Sequence, residues 1–238
     1  MAIRTEKLVH DHKGSSLEAV VAYPDTDSVA PGIMIFSDWS GRGPHAEDVA
    51  QRLAALGYVG FAADMYGDGR RGSSKEENTE LMNSVASDRA FLQDRLNAIC
   101  DKMASLPEVD AGKLAASGYC FGGLCALDAA RAGLPVKGVA AFHAILAAPG
   151  NTDGNKISAK VLALHGWDDP MATPDDVNAF AKEMSAAQAD WQLHAYGNTL
   201  HAFTNKEAND PDFGTVYSKS ADDRSWQAFT NFLEEIFA

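Results

Sequence analysis

A thiol among glycines, an acid and an imidazole stand in that order along this 238-residue chain. Cys120 sits in Gly118-Tyr119-Cys120-Phe121-Gly122-Gly123. Asp168 and Asp169 follow His165-Gly166-Trp167, and His201 precedes Ala202-Phe203. A thiol beside an imidazole is a nucleophile for carbonyl carbon, and a carboxylate behind the imidazole fixes its tautomer. The small and apolar run Ala115-Ala116-Ser117 leading into Gly-x-Cys-x-Gly-Gly has the form of a strand, one very tight turn and a helix. Such a turn lifts the nucleophile above a sheet edge and needs small residues where strand and helix pass closely. The helix that opens there aims its free N–H groups and positive dipole end at the sulfur, an arrangement that favours thiolate. Singly, each feature has a plainer reading: a buried cysteine in a glycine-rich turn, an N-cap carboxylate before Pro170, an ordinary histidine. Their order, each at the end of an expected strand, favours the catalytic reading.

The elements that must position these groups follow from periodicity. Residues 7–10 and 17–23 read as an antiparallel hairpin turning at Lys13-Gly14-Ser15. Continuous apolar runs at 32–36, 58–63, 113–118, 136–143 and 160–165 read as buried parallel strands, and 191–196 as the last clear strand. Helical spacing covers 46–56, 78–104 (with a break near Ser87-Asp88), 122–132, 175–187 and 222–237. Strands alternating with helices predict an α/β fold: a mostly parallel sheet covered on both faces, preceded by an antiparallel hairpin. No linker or repeat interrupts residues 1–238, which read as one domain. Catalytic groups in such folds sit in loops after the strand C-termini. Asp38 follows the 32–36 run there, and His143 ends the strand expected beside the elbow's strand, where it borders the site.

Composition excludes several classes. The formal net charge is −13, which disfavours nucleic acid and anionic membrane surfaces as partners. The N-terminus, Met-Ala-Ile-Arg-Thr-Glu-Lys, lacks an apolar core, and Cys100, Cys120 and Cys125 show no C-x-x-C spacing. Free thiols then fit a reducing cytoplasm. His10 and His12 alternate on one strand without a third ligand, so the reading requires no metal and no cofactor. A monomer or weak homodimer acting on a small molecule is expected.

The chain resembles the dienelactone hydrolase family of α/β hydrolases. The elbow at 118–123, His165-Gly166-Trp167-Asp168-Asp169-Pro170 and His201-Ala202-Phe203-Thr204-Asn205 carry the resemblance. The loops Ser37-Asp38-Trp39-Ser40-Gly41 and Ala63-Asp64-Met65-Tyr66-Gly67, and Tyr217 with Arg224-Ser225-Trp226, also match. The resemblance implies an α/β-hydrolase fold and a triad of Cys120, Asp169 and His201, with the H-G-x-x-D spacing selecting Asp169 over Asp168. It implies oxyanion donors at the Phe121 and Trp39 N–H groups. It also implies that Asp38, where relatives often carry a Glu that contacts the resting thiol, faces the thiol over a longer contact or through water, being one methylene shorter. Tyr66 and Trp39 are expected as pocket walls. Some relatives hold a substrate carboxylate with an arginine where this chain has Asn205; Arg42, Arg70 or Arg71 could stand in. The implied activity is cleavage of a carboxylic ester or enol-lactone through a thioester. The alternatives are a thioesterase, a non-catalytic relative binding a small hydrophobic ligand, and a redox sensor pairing Cys120 with Cys125.

Overall fold

The computed structural model describes residues 2–26 and 28–238. It opens with β1 (Ile3–His12) and β2 (Ser15–Pro24), which pair antiparallel along their whole length. Lys13 and Gly14 both take positive φ, 52° and 79°, the geometry of a two-residue hairpin turn whose twist matches the strands. The hairpin is longer than residues 7–10 and 17–23, because the polar residues of β1 face solvent at a sheet edge and leave no apolar signal there.

The following strands are β3 (Ala30–Phe36), β4 (Val59–Ala63), β5 (Val109–Tyr119), β6 (Gly138–Phe142), β7 (Lys160–Gly166) and β8 (Trp191–Tyr196). Together they form one eight-stranded sheet of order β1-β2-β4-β3-β5-β6-β7-β8. β2 meets β4 antiparallel, and every pair from β4 onward is parallel. The strands bury both faces. Ile33 and Ile35 point into one core while Met34 and Phe36 point into the other, and Leu162 and Leu164 oppose Val161 and Ala163 in the same way. That explains the unbroken apolar runs. Helices α1 (Pro44–Ala55) and α6 (Lys219–Phe237) cover one face. Helices α3 (Arg89–Ala104), α4 (Phe121–Arg131) and α5 (Pro174–Ala186) cover the other.

The 78–104 helical stretch is two helices, α2 (Lys75–Ala86) and α3. The break falls at Ser87-Asp88, where Asp88 caps α3 by accepting the Phe91 N–H at 3.0 Å. α2 buries only Val85, so it lies on the surface above the sheet edge. Among the described residues no helix is long and apolar enough to cross a membrane. A short hairpin, β9 (Asn209–Asp210) with β10 (Thr215–Val216), lies outside the main sheet and has no counterpart in the sequence reading.

Candidate active site

β5 ends at Tyr119, α4 begins at Phe121, and Cys120 takes the one-residue turn between them at φ 57°, ψ −116°. A side chain held there costs about 1–3 kcal/mol and persists only where its surroundings enforce it. The Cys120 N–H donates to the Phe142 carbonyl at 3.0 Å, and the Cys120 carbonyl accepts from the Gly123 and Leu124 N–H groups at 3.0 and 3.3 Å. The glycines make the crossing possible. A Cβ on Gly118 would stand 1.9 Å from the Gly122 carbonyl oxygen, and one on Gly122 would stand 2.0 Å from that of Phe36. The thiol of Cys120 is half-buried, whereas Cys100 and Cys125 are buried. Burial pushes the Cys100 thiol up to about 11 and the Cys125 thiol well above its ordinary value. Those two sulfurs are thereby kept protonated in neutral solution.

The acid and the imidazole come from later loops. The Nδ1–H of His201 donates to Asp169 Oδ2 at 2.7 Å, and Asp169 Oδ1 accepts the Met171 N–H at 2.8 Å. Asp168 has separate work. Its Oδ2 accepts the Thr199 N–H at 3.1 Å and its own N–H donates to the Thr199 carbonyl, tying the loop after β7 to the loop that carries His201. The β9–β10 hairpin holds His201 from the other side. The His201 N–H donates to the Gly214 carbonyl at 2.9 Å, and the His201 carbonyl accepts from Val216 at 3.1 Å. His201 Nε2 is buried and has no hydrogen-bond partner. Burial is the largest influence on the ring and opposes its charge. Electrostatic attraction to Cys120 and the Asp169 hydrogen bond outweigh it and raise His201 to about 10.

Cys120 and His201 line a cavity of about 330 Å³ with Asp38, Trp39, His143 and Asn205. Trp39 follows β3, whose residue Phe36 is in register with Gly118 of the elbow strand. The Trp39 carbonyl accepts the Tyr66 hydroxyl at 2.9 Å, and its indole stacks on Phe213 at 5.9 Å. Among the described residues the N–H groups of Trp39 and Phe121 have no acceptor, as expected at a helix start and an open loop.

Three sequence expectations need correction. Asp38 borders the cavity, but its hydrogen bonds run to the Ser40 N–H (2.8 Å) and hydroxyl (2.6 Å) rather than to the thiol. The shorter Asp side chain closes a local turn with its own loop. Tyr66 is not a pocket wall. It lies behind the wall, buried, with its ring stacked on Phe121 at 6.2 Å and its hydroxyl spent on Trp39. Arg70 is exposed and turned away from the cavity, donating to the Gly67 carbonyl at 3.2 Å and to that of Tyr66. His143 and Asn205 do line the cavity. His143 is buried, bonded through Nε2 to the Thr204 hydroxyl at 2.9 Å, with its ring 5.1 Å from that of His201. Burial, then the His201 charge, hold it well below the usual imidazole range, so it is neutral. Asn205 Oδ1 accepts the Glu207 N–H at 3.0 Å.

The sequence reading missed His45, Lys75, Met82, Met171, Asp210 and Phe213, all on the cavity lining. His45 was within reach, since Pro44-His45 opens α1 directly after the loop that carries Asp38 and Trp39. Its ring meets Tyr119 edge-on at 4.6 Å, and burial lowers its pKa. Lys75, Asp210 and Phe213 come from α2 and the β9–β10 hairpin, elements distant in sequence, and no local pattern marks them.

A doubly covered, mostly parallel sheet with a strand–nucleophile–helix elbow and a later acid and histidine defines an α/β hydrolase. The chain belongs to the dienelactone hydrolase family, whose sequence model matches residues 17–237. An uncharacterized Caenorhabditis elegans protein, K02A2.1, is 35% identical over 158 residues, covering 65% of this chain and all of that one. A putative carboxymethylenebutenolidase of Yersinia pestis is 26% identical over 237 residues, 94% of this chain and 85% of that one. Among solved structures, one titled m3DLH superposes with a TM-score of 0.95 at 33% identity over the full length of both chains. A dienelactone hydrolase-like promiscuous phosphotriesterase, P91, from metagenomic libraries superposes at 0.93 with 31% identity over 99% of each. The chain is therefore a hydrolase of dienelactone-hydrolase type.

Proposed function

We propose that this hydrolase cleaves carboxylic esters or enol-lactones with Cys120 as acyl acceptor. The observation that carries the reading is the half-buried thiol at the strained elbow, sharing a cavity with an imidazole whose far nitrogen is held by a buried carboxylate at 2.7 Å. The Cys120 sulfur adds to the carbonyl carbon. The oxygen that takes up charge is received by the unpaired Trp39 and Phe121 N–H groups, a contribution of about 3–4 kcal/mol per donor in comparable sites. Collapse breaks the bond to the alcohol or enol oxygen, which takes the proton from His201 Nε2 and leaves a thioester. Water then loses a proton to His201 and attacks the thioester, the acid departs, and the thiolate–imidazolium pair is restored. Asp169 keeps Nδ1 as the donor throughout, so Nε2 is the nitrogen that exchanges the proton. Enolates and phenolates leave more readily than alkoxides, so enol-lactones and activated esters suit the site best.

A panel of esters and lactones on wild type, Cys120→Ala and Cys120→Ser tests this. Activity is expected only with the thiol or, much weaker, with serine. Undiminished turnover in Cys120→Ala removes the nucleophile assignment. A second reading, attack on a neutral phosphotriester, is favoured by the 31% identity to the phosphotriesterase across 99% of both chains. An aryl dialkyl phosphate in the same panel tests it.

A further inference from the structure

The charges around the cavity narrow the substrate class, an inference that rests on Cys120 as the acyl acceptor. Among the described residues, Lys75 is the only lysine or arginine lining the cavity, which also carries the carboxylates of Asp38 and Asp210. Lys75 opens α2. Its Nζ donates to Asp210 Oδ2 at 3.0 Å and lies 3.9 Å from the centroid of the Phe213 ring. Asp210 and Phe213 both belong to the β9–β10 segment, and Phe213 stacks in turn on Trp39 beside the nucleophile. The ammonium is thus committed to a carboxylate and an aromatic face across the cavity mouth.

The cations of the neighbouring loops are engaged elsewhere. Arg42 donates to the Glu18 carbonyl at 2.7 Å and pairs with Glu47. Arg70 caps carbonyls of its own loop, and Arg71 lines a separate hollow with Glu77 and Glu80. The His201 ring is engaged by the Asp169 carboxylate at 2.7 Å. Position 205 offers a neutral amide. Met82, Ile145, Met171 and Ala202 add apolar wall, and the remaining polar lining, His45, His143, Thr204 and Thr215 among it, carries no lysine or arginine. A carboxylate entering this space meets the charge of Asp38 and can reach Lys75 only by separating it from Asp210, which then stands unpaired.

We propose that the site takes an uncharged ester or lactone and discriminates against one whose acyl portion ends in a carboxylate, with the Lys75–Asp210 pair setting that discrimination. Both side chains of the pair are about half exposed (55% and 46%), so solvent screens the effect. The expected preference is therefore about two- to fivefold in kcat/KM, far from absolute exclusion.

The test compares p-nitrophenyl hexanoate with mono-p-nitrophenyl adipate, which share a leaving group and chain length and differ in a terminal methyl or carboxylate. Wild type, Asp210→Asn and Lys75→Met are assayed at low and raised salt. The wild type should favour the hexanoate about two- to fivefold at low salt. Asp210→Asn, which frees the ammonium, should narrow the gap, and Lys75→Met should widen it; added salt should weaken each effect. Equal or faster turnover of the adipate by wild type overturns the substrate class, as does a ratio unmoved by Asp210→Asn. Each ratio is taken within one protein sample, and the wild-type ratio decides even where a variant does not fold. Hydrolysis of neither ester, or hydrolysis that survives in Cys120→Ala, overturns the acyl-acceptor reading itself and with it the substrate class.

Discussion

Adding a single methyl group at Gly122 should separate the two oxyanion donors. A Cβ there would lie 2.0 Å from the Phe36 carbonyl oxygen and 2.5 Å from that of Ser37. Both obstacles are backbone, so no side chain can swing aside. Because Cβ contacts under 3.0 Å essentially do not occur, the end of β3 and the start of α4 must part by about 1 Å. That movement acts on the Trp39 loop on one side and the Phe121 N–H on the other. A displacement of this size at a reacting centre costs about 10²-fold, and loss of one oxyanion donor about 10²–10³-fold. Gly122→Ala should therefore lower kcat on a p-nitrophenyl ester by about two to three orders of magnitude. The accompanying loss of stability should be about 1–3 kcal/mol, the usual cost of overpacking. His201 reaches the site through a separate loop, and the Cys120 N–H stays tied to the Phe142 carbonyl on β6, so alkylation of Cys120 by iodoacetamide should fall far less than turnover. Gly197, where a Cβ would meet nothing within 4 Å, provides the control: Gly197→Ala should leave kcat unchanged. A folded Gly122→Ala enzyme with kcat within threefold of wild type would refute the oxyanion assignment. Equal loss of alkylation and turnover would show instead that the elbow as a whole has collapsed.

Three further outcomes are expected. Tyr66→Phe deprives the Trp39 carbonyl of its 2.9 Å partner and should lower kcat about tenfold with little change in KM, since an unsatisfied buried acceptor costs about 1–3 kcal/mol; a loss of thermal stability with unchanged kcat would make Tyr66 purely structural. Because the Cys120 charge and Asp169 raise His201 to about 10, the ring stays protonated through neutral pH and loses its proton only as pH climbs through that value. For alkyl esters the alkaline limb of kcat/KM, which needs His201 protonated, should accordingly fall only as pH climbs through about 10, and a fall near neutral pH would refute it. In the ring NMR spectrum of Cys120→Ala, His201 should titrate lower than in wild type. Arg131, buried under α4, grips Glu183 through Nε and Nη2 at 2.8 and 2.7 Å, Asp128 at 3.3 Å and the Leu146 carbonyl at 2.9 Å. Arg131→Met leaves Glu183 and the Leu146 carbonyl without that partner, while Arg89 still holds Asp128, and should lower the unfolding free energy by about 3 kcal/mol in urea titration; a change under about 1 kcal/mol would mean that the cluster relaxes to water.

The regions of the fold visible in the sequence are those where one element dictates its own form. The runs around Ile33, Ala140 and Leu162 are buried on both faces and so are apolar without interruption. Asp88 marks the break between α2 and α3 because a cap acts within three residues of itself. β9 and β10, two residues each, escape notice because so short a pair has no periodicity to display. The same division runs through the site. The elbow glycines record a backbone crossing that exists within six residues, so Gly118 to Gly123 is legible. Tyr66, Arg70 and Asp38 were misplaced because the direction of a side chain at a loop is chosen by partners elsewhere: Trp39, Gly67 and Ser40.

By itself the sequence determined the α/β class, the chain order of thiol, acid and imidazole, and the single residue at which a nucleophile could stand. Local sterics and hydrophobic period are written residue by residue, and those conclusions need nothing more. Only the tertiary structure decided that Asp168 ties its loop to Thr199, that a hairpin from residues 209–216 braces His201, and that Lys75 meets Asp210 across the cavity. These depend on side chains up to 135 positions apart meeting within hydrogen-bond distance, and such meetings are set by how the sheet brings its loops to one edge.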